Sequence, residues 1–394
     1  MLRRLNRLDA GEGQYAEVSP FYFYPLEPED YLEFACSHSG YGQYPLMAFV
    51  YLTHRCWDNC KGCFVSKIYS PAAQLSWDVV ARLITDLAQG GVRAVKFAGR
   101  ESTVSPILGR ALRLCHELGM KSVLITAGAN IAEHAESIAE YCTHLRLSLN
   151  TTDPDLHDRL HRPGPRALRY EQRVACLRSI ISMRAHRQVV NGATFLVRPE
   201  TIDDAVPFAH LCRELGFHYV RYTLLDEIEG EWKKRWPSVR MALLALDSEV
   251  FQVWMNDLAV VPPGAQWRDL PEALLDPALA TRVTIHADGN VAACQEGWRG
   301  AWHEKDLAIY GNLNHQSFGE IWAGDRRRRF LSVLHKAFAA GYDSIPGCER
   351  CKYRSLNEVL RWMYWKRIVC GSTISAVFAQ SEECYERSTA DGYS

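Results

Sequence analysis

The sequence has no excess of either charge: 45 Lys and Arg against 46 Asp and Glu leave a net charge of -1. That balance argues against a surface built to neutralise a nucleic-acid backbone. The one dense basic run, Arg326-Arg327-Arg328-Arg329, reads as a solvated helix face. No window holds ~18 uninterrupted apolar residues, so no membrane span is expected. The opening stretch, Met1 to Arg7, has no apolar run behind it and shows no secretion signal. Internal repeats and low-complexity tracts are missing too. A cytoplasmic chain with no membrane and no nucleic-acid partner is the expectation. Cysteine, by contrast, is plentiful, at thirteen residues. In a reducing compartment these are poor disulfide candidates, and where they cluster they point to metal or redox chemistry.

Apolar residues make up 47% of the 394, enough for one large domain and a smaller one. Residues 1–45 read as an N-terminal arm rich in Tyr, Pro and Glu. From 46 to 226, short apolar runs alternate with helical patterns. The strands are read at Leu46–Leu52, Ala94–Ala98, Ser122–Thr126, Leu145–Leu149, Ala193–Val197 and Tyr219–Leu225. Between them, a helix begins after the N-cap Ser76 and stops at Gly90-Gly91, and another begins at Pro106 and ends near Gly119. Further helices fit Ala132–Cys142, Tyr170–Arg184 and Ile202–Leu215. Six strands alternating with helices predict an α/β fold with a parallel sheet. Pattern alone does not separate a doubly wound sheet from a barrel, but in both the ligands sit at the C-terminal strand ends. Residues 227–280 break the rhythm and read as a connecting, partly helical segment. A hairpin follows, Arg282 to Cys294 around Asp288-Gly289, then a helix from Ser317 to about Ala340. An aromatic-rich helix around Glu358–Ile368 comes after these.

Cys56, Cys60 and Cys63 form Cys-x3-Cys-x2-Cys just after the first strand. Three thiolates this close suit one face of an inorganic cluster, and three is the wrong number for disulfides. Zinc sites usually bring four ligands. A [4Fe–4S] cluster with one open iron fits the spacing. This motif, in this position of a βα domain, resembles the radical SAM superfamily. The resemblance implies a partial (β/α)6 barrel, three irons held by these cysteines, and a fourth iron chelated by the amino and carboxylate groups of S-adenosylmethionine (SAM). An electron from the cluster would cleave SAM, and the 5′-deoxyadenosyl radical would abstract hydrogen from substrate. An electron donor such as flavodoxin or ferredoxin is implied as a partner.

Other segments carry the same resemblance. Phe97-Ala98-Gly99-Arg100-Glu101 matches, at Gly99 and Glu101, a Gly-Gly-Glu-like motif that contacts the SAM amino group. Arg100 replaces a glycine there, so its side chain must either turn away or contact the substrate. Thr126 ends the third strand, and Ser148 and Asn150 share one face at the end of the fourth, where relatives bind the ribose and methionine of SAM. Asn150 stands where Asp is frequent. Arg198, ending the fifth strand, offers a cation for the SAM carboxylate. His157 and His161, in the stretch Asp153–Arg162, read as solvent-facing residues. Gly62 occupies the place where many members have an aromatic near adenine, and Phe64 follows the last cysteine instead.

A second group begins with Cys294 and continues with Cys348 and Cys351, a Cys-x2-Cys after Pro346-Gly347. With Gly311-Asn312 and Ser317-Phe318-Gly319-Glu320-Ile321-Trp322 between them, residues 281–370 resemble the small α+β SPASM/twitch extension that carries auxiliary iron–sulfur clusters, within a domain read as 281–394. Cys294, Cys348, Cys351, Cys370 and Cys384 are too few for two such clusters, so one auxiliary [4Fe–4S] cluster is expected. Its fourth ligand stays open between Cys370, which is favoured, Cys384, His303 and none. Cys36, Cys115, Cys142, Cys176 and Cys212 read as small buried hydrophobes.

Fold and cofactor do not fix the substrate. The first reading is a natural product of small-molecule size, a sugar or aminoglycoside, epimerised or dehydrogenated at a carbinol carbon. Cys384 would then be a candidate hydrogen donor, and Trp298 and Trp302 candidates to stack on a sugar face. The alternative is a ribosomal peptide, cross-linked or epimerised. A non-catalytic metal-binding protein is the distant third.

Overall fold

The computed structural model describes residues 8–11, 14–16, 25–36, 43–63, 73–225, 228–255, 277–294, 308–339 and 354–365. Strands β1 (Leu8–Gly11) and β2 (Gln14–Ala16) form a small antiparallel hairpin, and helix α1 spans Pro28–Cys36. The core then alternates β3 (Met47–Val50), α2 (Trp77–Gln89), β4 (Ala94–Phe97), α3 (Leu108–Glu117), β5 (Lys121–Thr126), α4 (Ala135–Tyr141) and β6 (His144–Leu147). It continues through α5 (Pro154–His161), α6 (Tyr170–Arg184), β7 (Val190–Val197), α7 (Ala205–Glu214), β8 (Tyr219–Leu224), α8 (Trp236–Leu244) and β9 (Gln252–Met255). The C-terminal part supplies α9 (Pro277–Thr281), β10 (Arg282–Ile285), β11 (Asn290–Ala292), β12 (Ile309–Asn312), α10 (Phe318–Trp322), α11 (Asp325–Ala339) and α12 (Arg354–Tyr364).

All six expected strands are present, adjacent in chain order and parallel. The sheet is larger than expected, with the order β12-β11-β10-β3-β4-β5-β6-β7-β8-β9. Strand β9 comes from the segment read as a connector and pairs parallel with β8. At the other edge β10 pairs parallel with β3, from Arg282 beside Met47 to Ile285 beside Val50. The C-terminal hairpin therefore extends the core sheet. Its Asp288-Gly289 turn is as expected, with Gly289 at φ +90°.

The strands are buried rather than alternating between core and solvent: β3, β4 and β6 are buried at every position, Lys96, His144 and Arg146 included. Helix α2 begins where its sequence says it should, with Ser76 Oγ accepting from Val79 N, and it buries Val79, Val80, Leu83, Ile84 and Leu87. The single helix expected from Ser317 is two, broken at Ala323-Gly324. A Cβ at Gly324 would lie 3.0 Å from Glu320 O. The basic run that follows is not wholly solvated: Arg326, Arg328 and Arg329 are exposed, but Arg327 is buried 3.7 Å over the Trp322 ring and donates to Trp322 O. Cys115, Cys142 and Cys212 are buried as expected, whereas Cys36 is exposed.

Candidate functional site

The loops at the C-terminal ends of β3 to β7 share one edge of the sheet, and the expected site residues gather there. Cys56, Cys60 and Cys63 lie half-buried in the loop after β3. Backbone bonds tie this loop to the end of α5, whose last carbonyls would otherwise be unpaired. Asn59 N donates to His161 O (3.0 Å), Lys61 N to Leu160 O (2.7 Å), and Gly164 N to Trp57 O (2.8 Å). At Gly164 the two chains are so close that a Cβ would sit 2.8 Å from Trp57 O.

Beneath the loop lies an ion pair that sequence reading did not single out. Asp58 and Arg173 are fully buried and bidentate, at 2.6 and 2.8 Å. Arg173 also donates to Leu168 O and Ala127 O, both at 2.8 Å. Asp58 is thereby held against α6 and the loop after β5. Arg173 falls on the buried stripe of α6 with Tyr170, Leu177, Ile180 and Ile181, and a charge there needs a partner, but the polar loop around Asp58 gives no sign of being that partner.

His157 and His161 correct the expectation of solvent-facing residues, for both are buried, with their rings stacked 4.4 Å apart. His161 Nε2 lies 2.9 Å from Leu149 O, which makes that nitrogen the donor. Its Nδ1 then faces Cys60 Sγ at 3.6 Å and Asp58 Oδ2 at 3.8 Å. Burial, then His157 and Arg173, depress its pKa to about 3.

Of the residues assigned to SAM, Gly99 has φ +102°, and a Cβ there would meet the Tyr51 ring at 2.7 Å. Only glycine suits that position. Glu101 is buried and heavily used: Oε1 accepts from Thr103 N, Thr103 Oγ1 and Thr126 Oγ1, and Oε2 accepts from Ala127 N. Thr126 Oγ1 also accepts from Gly128 N. Glu101 and Thr126 are thus joined to each other and shape the loop. Ser148 is half-buried, its N–H bonded to Thr126 O. Asn150 adopts φ +65°, and its Oδ1 accepts from Leu196 N (3.0 Å), pinning β7. Arg198 reaches the cysteine loop, its Nη2 3.5 Å from where a Gly62 Cβ would be. Lys61 and Glu200 close the same junction with an exposed ion pair of 2.7 Å.

The donor set suits a metal cluster. Burial first, then Asp58 and Cys63, push the Cys60 thiol up to about 12. Burial first, then Glu101, push Cys56 up further, with Cys60 contributing. Each thiolate raises its neighbour, a cost that bound metal cations reverse. Cys63 packs beside Tyr51, Ala98 and Ile125, so apolar walls flank the open side.

The model of the Radical SAM superfamily matches residues 50–212, and that of the SPASM iron-sulfur cluster-binding domain matches 277–352. The chain is a radical SAM protein with a C-terminal SPASM region. Radical SAM domains use a [4Fe–4S] cluster and SAM, and SPASM domains carry auxiliary iron–sulfur clusters. Among curated relatives, PqqA peptide cyclase of Ruegeria pomeroyi is 32% identical over 119 residues, 29% of this chain and 32% of the relative. PqqA peptide cyclase of Rhodopseudomonas palustris is 30% identical over the same length. The chain thus spans about a third of the curated relatives it matches. Among solved structures, Streptococcus suis SuiB bound to SAM superposes with a TM-score of 0.56 at 15% identity, covering 72% of this chain and 66% of SuiB. The protein anSMEcpe with bound SAM and a peptide gives 0.52 at 13%, covering 85% and 99%. At these identities the likeness establishes the fold.

In this radical SAM chain Cys294 is half-buried just after β11. Cys348, Cys351, Cys370, Cys384, His303, Trp298, Trp302 and Phe64 lie outside the described residues.

Proposed function

We propose that this protein is an enzyme that modifies a peptide by radical chemistry. The observation that carries the reading is the sequence similarity to two PqqA peptide cyclases. The SuiB fold was also solved with its precursor peptide SuiA. The sugar or aminoglycoside reading rests on sequence features alone, chiefly the small number of C-terminal cysteines and the short N-terminal arm, so the peptide takes precedence.

The residues divide the work. Cys56, Cys60 and Cys63 hold the cluster, with Asp58 and Arg173 fixing their loop from below. Gly99 lets backbone approach SAM, and Arg198 provides a cation for its carboxylate. When bound, the cluster and SAM supply the electron and the 5′-deoxyadenosyl radical that removes a hydrogen atom. Tyr51, Ala98 and Ile125 pack beside Cys63 and would keep water away from a cluster held there. Cys294 would hold part of one auxiliary cluster.

The test supplies the anaerobically reconstituted enzyme with SAM, dithionite and either a peptide library or a sugar and aminoglycoside library. Stimulated 5′-deoxyadenosine release together with a mass change in a peptide is expected. Stimulation by sugars alone would overturn the peptide reading.

A further inference from the structure

The ten strands of the main sheet contain Lys96, Lys121, Arg146, Arg221 and Arg282, but no Asp or Glu. Register places three of these on one face: Lys96 beside Phe49 and Val123, Arg146 beside Ile125 and Gly192, and Arg221 beside Thr194 and Trp254. Ile125 on that face packs with Tyr51, Ala98 and Cys63, so it is the face beneath the cysteine loop. Those three cations have contacts of their own within the protein.

Two further arginines stand at the strand ends above this face, Arg100 after β4 and Arg198 after β7. Each is half-buried, and each has its Nε sealed from solvent with no hydrogen-bond partner. A buried N–H without an acceptor costs about 1–3 kcal/mol, and more for a charged group. Such a group in a native fold calls for an explanation, and a ligand is one. The sequence left two fates for Arg100, turning away or meeting the substrate. An Nε closed off from water does not belong to a side chain turned out into solvent. Among the described residues, its chain neighbours offer no alternative acceptor: Gly99 is pressed against Tyr51, and the Glu101 oxygens serve Thr103, Thr126 and Ala127. SAM brings one carboxylate, and Arg198 beside Gly62 is placed for it. The acceptor for Arg100 comes from a second molecule.

We propose that Arg100 binds a carboxylate of the substrate, so that the peptide presents an acidic side chain close to the reacting carbon. The guanidinium fork suits a carboxylate through two parallel bonds. The carboxylate is inferred from Arg100 itself, and only the peptide part rests on the function proposed above.

The test uses three probes on the SAM-loaded holoenzyme under anaerobic titration: glutarate, acetyl-Ala-Glu-Ala-amide and acetyl-Ala-Gln-Ala-amide. The wild type should bind the first two and prefer Glu to Gln. Arg100→Gln should weaken glutarate by about tenfold or more, as loss of a charge-assisted bond implies, and abolish the Glu preference. Arg100→Lys should restore part of both, which a folding defect in Arg100→Gln would not explain away. Three results would overturn the proposal: no Glu preference in the wild type, a preference that survives Arg100→Gln, or a loss that falls on SAM instead. Glutarate held through Arg100 with neither peptide bound would leave the anion site standing and remove the peptide reading.

Discussion

Asp58 ties the cluster loop to the protein interior. Truncating it to Ala leaves Arg173 with an uncompensated buried charge, a loss of about 3–5 kcal/mol by the usual cost of halving such a pair. Denaturant unfolding should register that loss, and iron retention should fall with it, although all three cluster cysteines remain. Unchanged stability would mean that the pair is solvated in solution. At this scale, what could be read from the sequence followed separation along the chain. Three cysteines within eight residues declare themselves by spacing, as does Gly99 beside Glu101. Asp58 and Arg173 are 115 residues apart, and nothing local in either marks the other. His157 and His161 were misread for a related reason. Polar residues on a helix suggest an exposed face, but α5 turns that face under the cysteine loop, where His161 meets Leu149 O and Cys60 and His157 stacks on His161.

Elements were legible where caps and periodicity agreed. Helix α2 follows its N-cap and its apolar stripe, and α6 matches its expected bounds of Tyr170–Arg184. Strand β9 was missed because its four residues lie in a Trp-rich stretch with no preceding helical repeat long enough to announce a βα unit. Its strand character comes from pairing with β8, a tertiary cause. The reverse error, one long helix after Ser317, came from reading through Gly324-Asp325, a stop followed by a new start. That start is strong: Ser317 Oγ accepts from Glu320 N, and the Glu320 carboxylate accepts from Ser317 N and Oγ. Helix α10 has only five residues, so the cap is a large share of what holds it. Ser317→Ala should cost about 1 kcal/mol. Chemical unfolding should show that loss with an unchanged m-value, because the surface exposed on unfolding is the same.

At the scale of the molecule, one continuous sheet runs from the SPASM hairpin to β9. Its interior carries neutral histidines. Burial first, then Arg146, Arg184 and His218, hold His144 well below the usual imidazole range, and burial, then His54, does the same for His286. In the unfolded chain both titrate near about 6.5. Below that value the unfolded state binds more protons than the native one, so the stability these residues preserve at neutral pH is lost on acidification. The slope is about 1.4 kcal/mol per pH unit for each histidine. The unfolding midpoint of cluster-free protein should therefore fall between pH 7 and pH 5, and His144→Asn should flatten that fall. A midpoint independent of pH over this range would place both rings in contact with water.

The central claim is that Cys56, Cys60 and Cys63 hold a SAM-cleaving cluster. The most direct test measures iron, sulfide and 5′-deoxyadenosine formation with dithionite and SAM on anaerobically reconstituted protein. Wild type would be compared with the Cys56→Ala, Cys60→Ala, Cys63→Ala triple variant and with Cys294→Ala. The triple variant should lose about four irons, one [4Fe–4S] cluster, and all SAM cleavage, while Cys294→Ala should lose iron but keep SAM binding. Reductive SAM cleavage that persists in the triple variant would contradict the account.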